Sequence, residues 1–274
     1  MLCKLVLSVH KKASRLAVLG ELGRYPLALR AMAHCLNYRQ CLARKPQTSL
    51  IGLAMAEMST MVARGQDCWL AKVDKMKILL DLPRIRYGPN SGKKIIKTIQ
   101  RKFDVFWRGQ ILASRPGPDG QEHNKLEVYS GFKCHFGLEP YISLVRNRNQ
   151  RCDLTRLRVS AHQLGCEVLR YRRPPVPREE RYCNYCPAGP GGQRPLDTEV
   201  HCLTECVVGG EERQELFNGI SSSNRSFPSM CNVSKFKILV CPSNPVDCKQ
   251  VSRYLQLQFN MRDRIDTGEC INPG

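Results

Sequence analysis

Four residues in this sequence carry the clearest chemistry. Cys183 and Cys186 flank Asn184-Tyr185, and His201 and Cys206 follow, giving the spacing C-x2-C-x14-H-x4-C. Two thiols separated by two residues present both sulfurs from one tight turn. A histidine and a cysteine about one helical turn apart can approach the same point from the other side. Four soft donors of this kind close tetrahedrally around Zn2+, so the spacing predicts a CCHC zinc finger with Cys183, Cys186, His201 and Cys206 as ligands. Unmetallated thiols are the alternative, because cysteine is frequent here. Cys202 ranks second as a ligand, since its position next to His201 points it elsewhere.

Fifteen cysteines in 274 residues could also mean disulfides. The odd count, scattered spacing and lack of an export signal favour reduced thiols and one metal site. The N-terminal run Leu5-Val6-Leu7 is cut short by His10, Lys11 and Lys12, and no small-residue cleavage site follows. It is expected to be an amphipathic helix of an intracellular protein. Without export, the sequons Asn224-Arg-Ser226 and Asn232-Val-Ser234 carry no meaning. No apolar run is long enough to span a bilayer, so no membrane segment is expected.

The second chemical signal is charge. Forty-three Lys and Arg against twenty-four Asp and Glu give a formal +19. Such a surplus attracts polyanions, with RNA or DNA the first partner to consider and acidic proteins or membrane surfaces the alternatives. The arginines are densest after Tyr141. Arg151, Arg156, Arg158, Arg170, Arg172, Arg173 and Arg181 are the candidate phosphate contacts, because a guanidinium grips phosphate with two parallel hydrogen bonds. Tyr182 or Tyr185 could stack on an unpaired base or pack against the knuckle. His162 is read as a packed or surface histidine rather than a further ligand.

The elements that must position these groups read as mainly α, a helical scaffold with a small CCHC zinc knuckle and a short C-terminal helical tail. Residues 1–113 form an N-terminal helical region. Gly20 is expected to cap its first helix, Pro26 to open the next and Pro46 to stop it. Met55, Met58 and Met61 read as core filling. From Lys93 onward Ile95, Ile99, Phe103 and Phe106 form an apolar face opposite Lys94, Lys97, Arg101 and Arg108. Residues 114–173 hold a Pro/Gly-rich loop and a basic helix whose buried face is Leu154, Leu157, Ala161, Leu164 and Val168. The knuckle region covers 174–220, with a short hairpin expected at the knuckle, and the tail 221–274. In the tail Asn244-Pro245 starts a helix with Val251, Leu255 and Phe259 inward. Pro118-Asp119 with Glu122 and Lys125 is a weak nuclease-like pattern, set aside because it lies in a loop without strands to hold a metal.

Two stretches resemble a known family. Gly20-Glu-Leu-Gly-Arg-Tyr-Pro-Leu27 is similar to a segment downstream of the polymerase in some animal non-LTR retrotransposon reverse transcriptases. The second is longer: Leu154-Thr-Arg-Leu-Arg-Val-Ser-Ala-His162, Glu167, Arg170, Arg178-Glu-Glu-Arg181, Cys183-Asn-Tyr-Cys186, Thr198-Glu-Val-His201 and Cys206. It resembles the zinc-binding region that ends such proteins, and Arg262 after a helical segment fits that ending too. The resemblance spans most of the chain and is weakest over 63–127. It implies a zinc-binding, nucleic-acid-associated region with the four ligands above. The gap from Cys186 to His201 is longer than in that pattern and rich in Gly and Pro. The sequence has no Asp-Asp pair for a two-metal polymerase site, no Lys/Arg-Pro-Asp element after the knuckle and no GxxxxGK[ST]. Catalysis is therefore not expected. A zinc-containing protein-interaction module, or a translated relic without selected activity, is the alternative function.

Overall fold

Helix-forming runs bounded by Ser, Asn, Pro and Gly dominate the sequence, and the fold follows them: it is mainly α. The computed structural model describes residues 2–82, 91–113, 115–116, 122–242 and 244–268. Among these the strand pair is a two-residue antiparallel ladder, β1 (Arg115–Pro116) against β2 (Glu122–His123). Pro118 and Asp119 of the nuclease-like pattern lie outside the described residues. The chain divides into two compact units, one made of Met1–Gly23 with Gln110–Gly274 and the other of Arg24–Gly109.

The N-terminal stretch forms two helices rather than one, α1 (Leu2–Val6) and α2 (Arg15–Glu21). Ser8 turns left-handed at φ 51°, and the Ser14 hydroxyl caps α2 by accepting from Ala17 N–H at 3.4 Å. Gly20, expected as a cap, lies inside α2. The left-handed residue after the helix is Gly23 at φ 56°, where an added Cβ would stand 2.4 Å from Leu138 N. Leu22 forms an antiparallel bridge with Leu138, so only glycine permits this approach.

In residues 24–109 the helices are α3 (Leu27–Ala43), α4 (Leu50–Ala63), α5 (Trp69–Leu79) and most of α6 (Ser91–Leu112). Pro26 precedes α3, as expected. Ser49 caps α4 by accepting from Gly52 N–H at 3.1 Å. The core is thin: Ala33, Leu36, Val73, Ile95 and Ile99. Met55, Met58 and Met61 lie on the half-buried side of α4, but no residue of that helix is fully buried. On α6 the buried stripe is Ile95, Ile99, Phe103 and Trp107. Phe106, expected inward, is 54% exposed. Steps of four stay on one helical face, whereas position 106 lies about 100° away from Trp107.

The remaining helices are α7 (Glu127–Phe132), α8 (Pro140–Leu144), α9 (Arg148–Arg158), α10 (Gly165–Val168), α11 (Glu199–Thr204), α12 (Gly210–Ser223), α13 (Asn232–Val240) and α14 (Pro245–Thr267). The face expected to run from Leu154 to Val168 is broken. α9 ends at Arg158, Ser160 turns left-handed at φ 49°, and α10 restarts at Gly165. Leu154, Leu157 and Leu164 are buried, and Val168 is exposed. The segment expected as a tail contains α14, which packs on α8, α9, α12 and α13 as an axis of the larger core. Asn244 caps it by accepting from Asp247 N–H at 2.8 Å, and Pro245 occupies its first turn. Val251 and Leu255 join Leu154, Leu203, Phe227 and Leu239 in that core, with Phe259 partly covered against it.

Candidate metal centre and the arginines around it

The two arms of the knuckle meet before the thiols are reached. Tyr182 bridges Leu196 in antiparallel fashion, Cys183 N–H donates to Pro195 O at 2.7 Å, and Asp197 N–H donates to Arg181 O at 2.8 Å. This short hairpin holds Cys183 and Cys186 at its tip side and closes the neck of the 187–195 excursion. α11 brings the other pair. Thr198 caps it by accepting from His201 N–H at 3.1 Å, and Cys206 N–H donates to His201 O at 2.9 Å just past its end.

All four residues are buried, and their donor atoms lie within 4.8 Å of one another. Cys186 Sγ stands 3.3 Å from His201 Nε2 and 3.9 Å from Cys206 Sγ, and Cys183 Sγ stands 4.0 Å from Cys206 Sγ. Tetrahedral donors on bonds of about 2.0–2.3 Å would be spaced by roughly 3.3–3.8 Å. The group can therefore hold a metal ion.

Outer contacts orient this group. Val207 N–H donates to Cys186 Sγ at 3.4 Å, and Glu205 Oε2 lies 3.4 Å from His201 Nδ1. Arg262 of α14 donates from Nη2 to Cys206 Sγ at 3.1 Å and to Cys183 Sγ at 3.9 Å, and from Nη1 to Asp197 Oδ1 at 2.8 Å. Its guanidinium lies 4.8 Å from the Tyr185 ring centroid, and the Tyr185 hydroxyl donates to Asp266 at 2.7 Å. Three thiolates around a divalent ion would leave one surplus negative charge, and Arg262 is placed to offset it. The hydrogen bond from Cys183 holds the Cys206 thiol well below the usual range despite burial, with His201 and Arg262 helping. The same bond pushes Cys183 up.

Cys202 is turned into the helical core, 3.9 Å from Gln258 Nε2, where burial raises its thiol to about 12. His162 is packed, 3.0 Å from Glu199 Oε1, and Cys166 Sγ donates to Glu199 Oε2 at 3.6 Å. Burial opposes ionisation of Glu199, yet hydrogen bonding to His162 holds it at about 2. These three also lie within 4.8 Å of one another, a grouping that spacing in the sequence does not announce. None of the described cysteines forms a disulfide.

The seven candidate arginines separate into different environments. Arg158 is 1% exposed. Its Nε donates to Glu21 Oε2 at 2.7 Å, its Nη2 to Glu21 Oε1 at 3.0 Å and Glu139 Oε2 at 2.5 Å, and its Nη1 to Val240 O. It stands four residues after Leu154, on the same helical face, and is corrected from a phosphate contact to an internal cross-link. Arg181 is also buried, donating to Val176 O at 2.9 and 3.0 Å and to Cys166 O at 3.0 Å. It too is held inside. Arg151 donates to Val145 O at 2.7 Å, Arg156 to Ser8 O at 3.2 Å, and Arg170 to Glu167 at 3.4 Å, all three half-buried. Arg172 and Arg173 are exposed.

A cleaner row of cations sits on α6. Lys93, Lys94, Lys97 and Arg101 are exposed, off the stripe of Ile95, Ile99 and Phe103, and among the described residues none of the four pairs with a carboxylate. No helix among the described residues is long and apolar enough to cross a membrane. No family model, curated protein or solved structure matches this chain.

Proposed function

We propose that this protein is a zinc-stabilised, non-catalytic nucleic-acid binder of the kind found at the end of non-LTR retrotransposon reverse transcriptases. It grips RNA or DNA through phosphates. The observation that carries the reading is the exposed cationic row of α6, unpaired among the described residues, in a chain of formal charge +19. Four cations spaced along one helix match the regular charge of a phosphate backbone and read no bases. Three sulfurs and one imidazole nitrogen in a tetrahedral spacing favour zinc among the biological metals. The retroelement assignment rests on the motif order around Cys183 and on the Gly20–Leu27 stretch.

The test is fluorescence anisotropy with a structured RNA and a duplex DNA across a salt series. The wild type should lose affinity steeply as salt rises. Replacing Lys93, Lys94, Lys97 and Arg101 together by Gln should lower the slope of log affinity against log salt by about 3. A flat salt dependence in the wild type overturns the reading.

A second reading, a zinc-containing protein-interaction module, has one observation in its favour. α4 presents Leu50 (84% exposed), Ile51 and Leu53 outward, the type of apolar surface that partners cover.

A further inference from the structure

We infer that Tyr171 is a stacking platform for an unpaired base, so that the larger unit binds single-stranded nucleic acid. The inference rests on the nucleic-acid reading above and adds the strand class and the residue that selects it.

Tyr171 ends a single helical turn, Leu169–Tyr171, directly before Arg172 and Arg173. The residue is 43% exposed. The Lys12 ammonium lies 4.5 Å from the ring centroid and that of Lys125 5.4 Å away, and Lys125 Nζ also donates to the phenol oxygen at 2.9 Å. Lys125 is itself fixed by Glu167 at 2.5 Å, which Arg170 shares at 3.4 Å. The phenol end of the ring thus meets Lys125, while part of the residue stays open to solvent. Ammonium groups from two separate segments of the chain lie over it.

Three other tyrosines of the larger unit are more enclosed. Tyr129 and Tyr141 are buried, and Tyr185 is closed between Arg262 and Asp266. A partly exposed, oriented ring under two lysines, followed in the chain by two exposed arginines, offers what a single strand needs: a surface for one base and charges for the flanking phosphates. Lys12 is exposed on a flexible stem, so an arriving base can displace its ammonium from the ring toward the backbone. In a duplex the bases already stack on one another and the ring has nothing to receive.

The test uses the full chain and two probes, a 2-aminopurine-labelled single strand and a duplex of the same sequence. Tyr171→Ala should weaken single-strand binding about tenfold and abolish the 2-aminopurine response, while changing duplex affinity less than twofold. Tyr171→Phe and Tyr171→Trp, which keep a ring, should restore both. Joint substitution of the four α6 cations should weaken both probes. Single-strand binding indifferent to Tyr171→Ala, or lost equally on the duplex, overturns the platform alone. Absence of salt-sensitive binding to either probe by the wild type overturns the nucleic-acid reading and the platform with it.

Discussion

In the larger unit arginine works as a cross-link. Arg158 ties α9 to Glu21 of α2 and to Glu139, Arg181 ties the hairpin to the carbonyls of Val176 and Cys166, and Arg262 ties α14 to two metal-site sulfurs. In residues 24–109 Lys93, Lys94, Lys97 and Arg101 of α6 stand outside on a helix whose inner stripe is purely apolar. A buried guanidinium is tolerated only where carboxylates, carbonyls or thiolates satisfy its donors. The larger unit supplies those acceptors. The smaller one keeps Lys93, Lys94, Lys97 and Arg101 of α6 in water.

The strongest way to break this contrast is to act on the candidate metal centre. Chelation, or Cys183→Ser, should cost the larger unit several kcal/mol, because binding energy at a structural site is folding energy. Hydrogen exchange should show α11 and the end of α14 losing protection while α3, α5 and α6 keep theirs. Simultaneous loss in both units would collapse the distinction.

Next in size is Arg158→Ala, expected to cost about 3–5 kcal/mol in urea unfolding because it leaves the buried Glu21 with the Tyr141 hydroxyl but without its cation. The double variant with Glu21→Ala should be less damaging than the two single losses added together.

The smallest effect belongs to Tyr25, whose hydroxyl donates to Asp104 at 3.1 Å within residues 24–109. Tyr25→Phe should cost about 1 kcal/mol. Burial, then the charge of Asp104, raises the phenol to about 12. Its contribution is therefore complete below the unfolded value near 10 and lost as pH rises through about 12. Absorbance at 295 nm would follow that titration.

The metal-site residues were legible because their spacing is itself geometry: two residues make a knuckle, four make a helical turn. Most of the α6 stripe was legible for the same reason, and it failed only at Phe106, one residue from the true position. What the sequence concealed depends on distance along the chain. Nothing near Arg158 points to Glu21, 137 residues away, so a side chain that looks like a phosphate grip is an internal tie. Nor does periodicity register the left-handed Ser160, which divides α9 from α10 and brings His162 to Glu199. The same limit hid the setting of Tyr171, whose two lysines arrive from residues 12 and 125.

The hairpin neck beneath the knuckle has one more consequence. Because the bonds joining Cys183 to Pro195 and Arg181 to Asp197 close below it, residues 187–195 form an outpouching whose contour length is uncoupled from the ligand positions. Residues can be gained or lost in that Gly/Pro-rich arc while the four donors stay in register, which makes the long interval between Cys186 and His201 compatible with an intact site. The arc is where this chain can diverge at least structural cost.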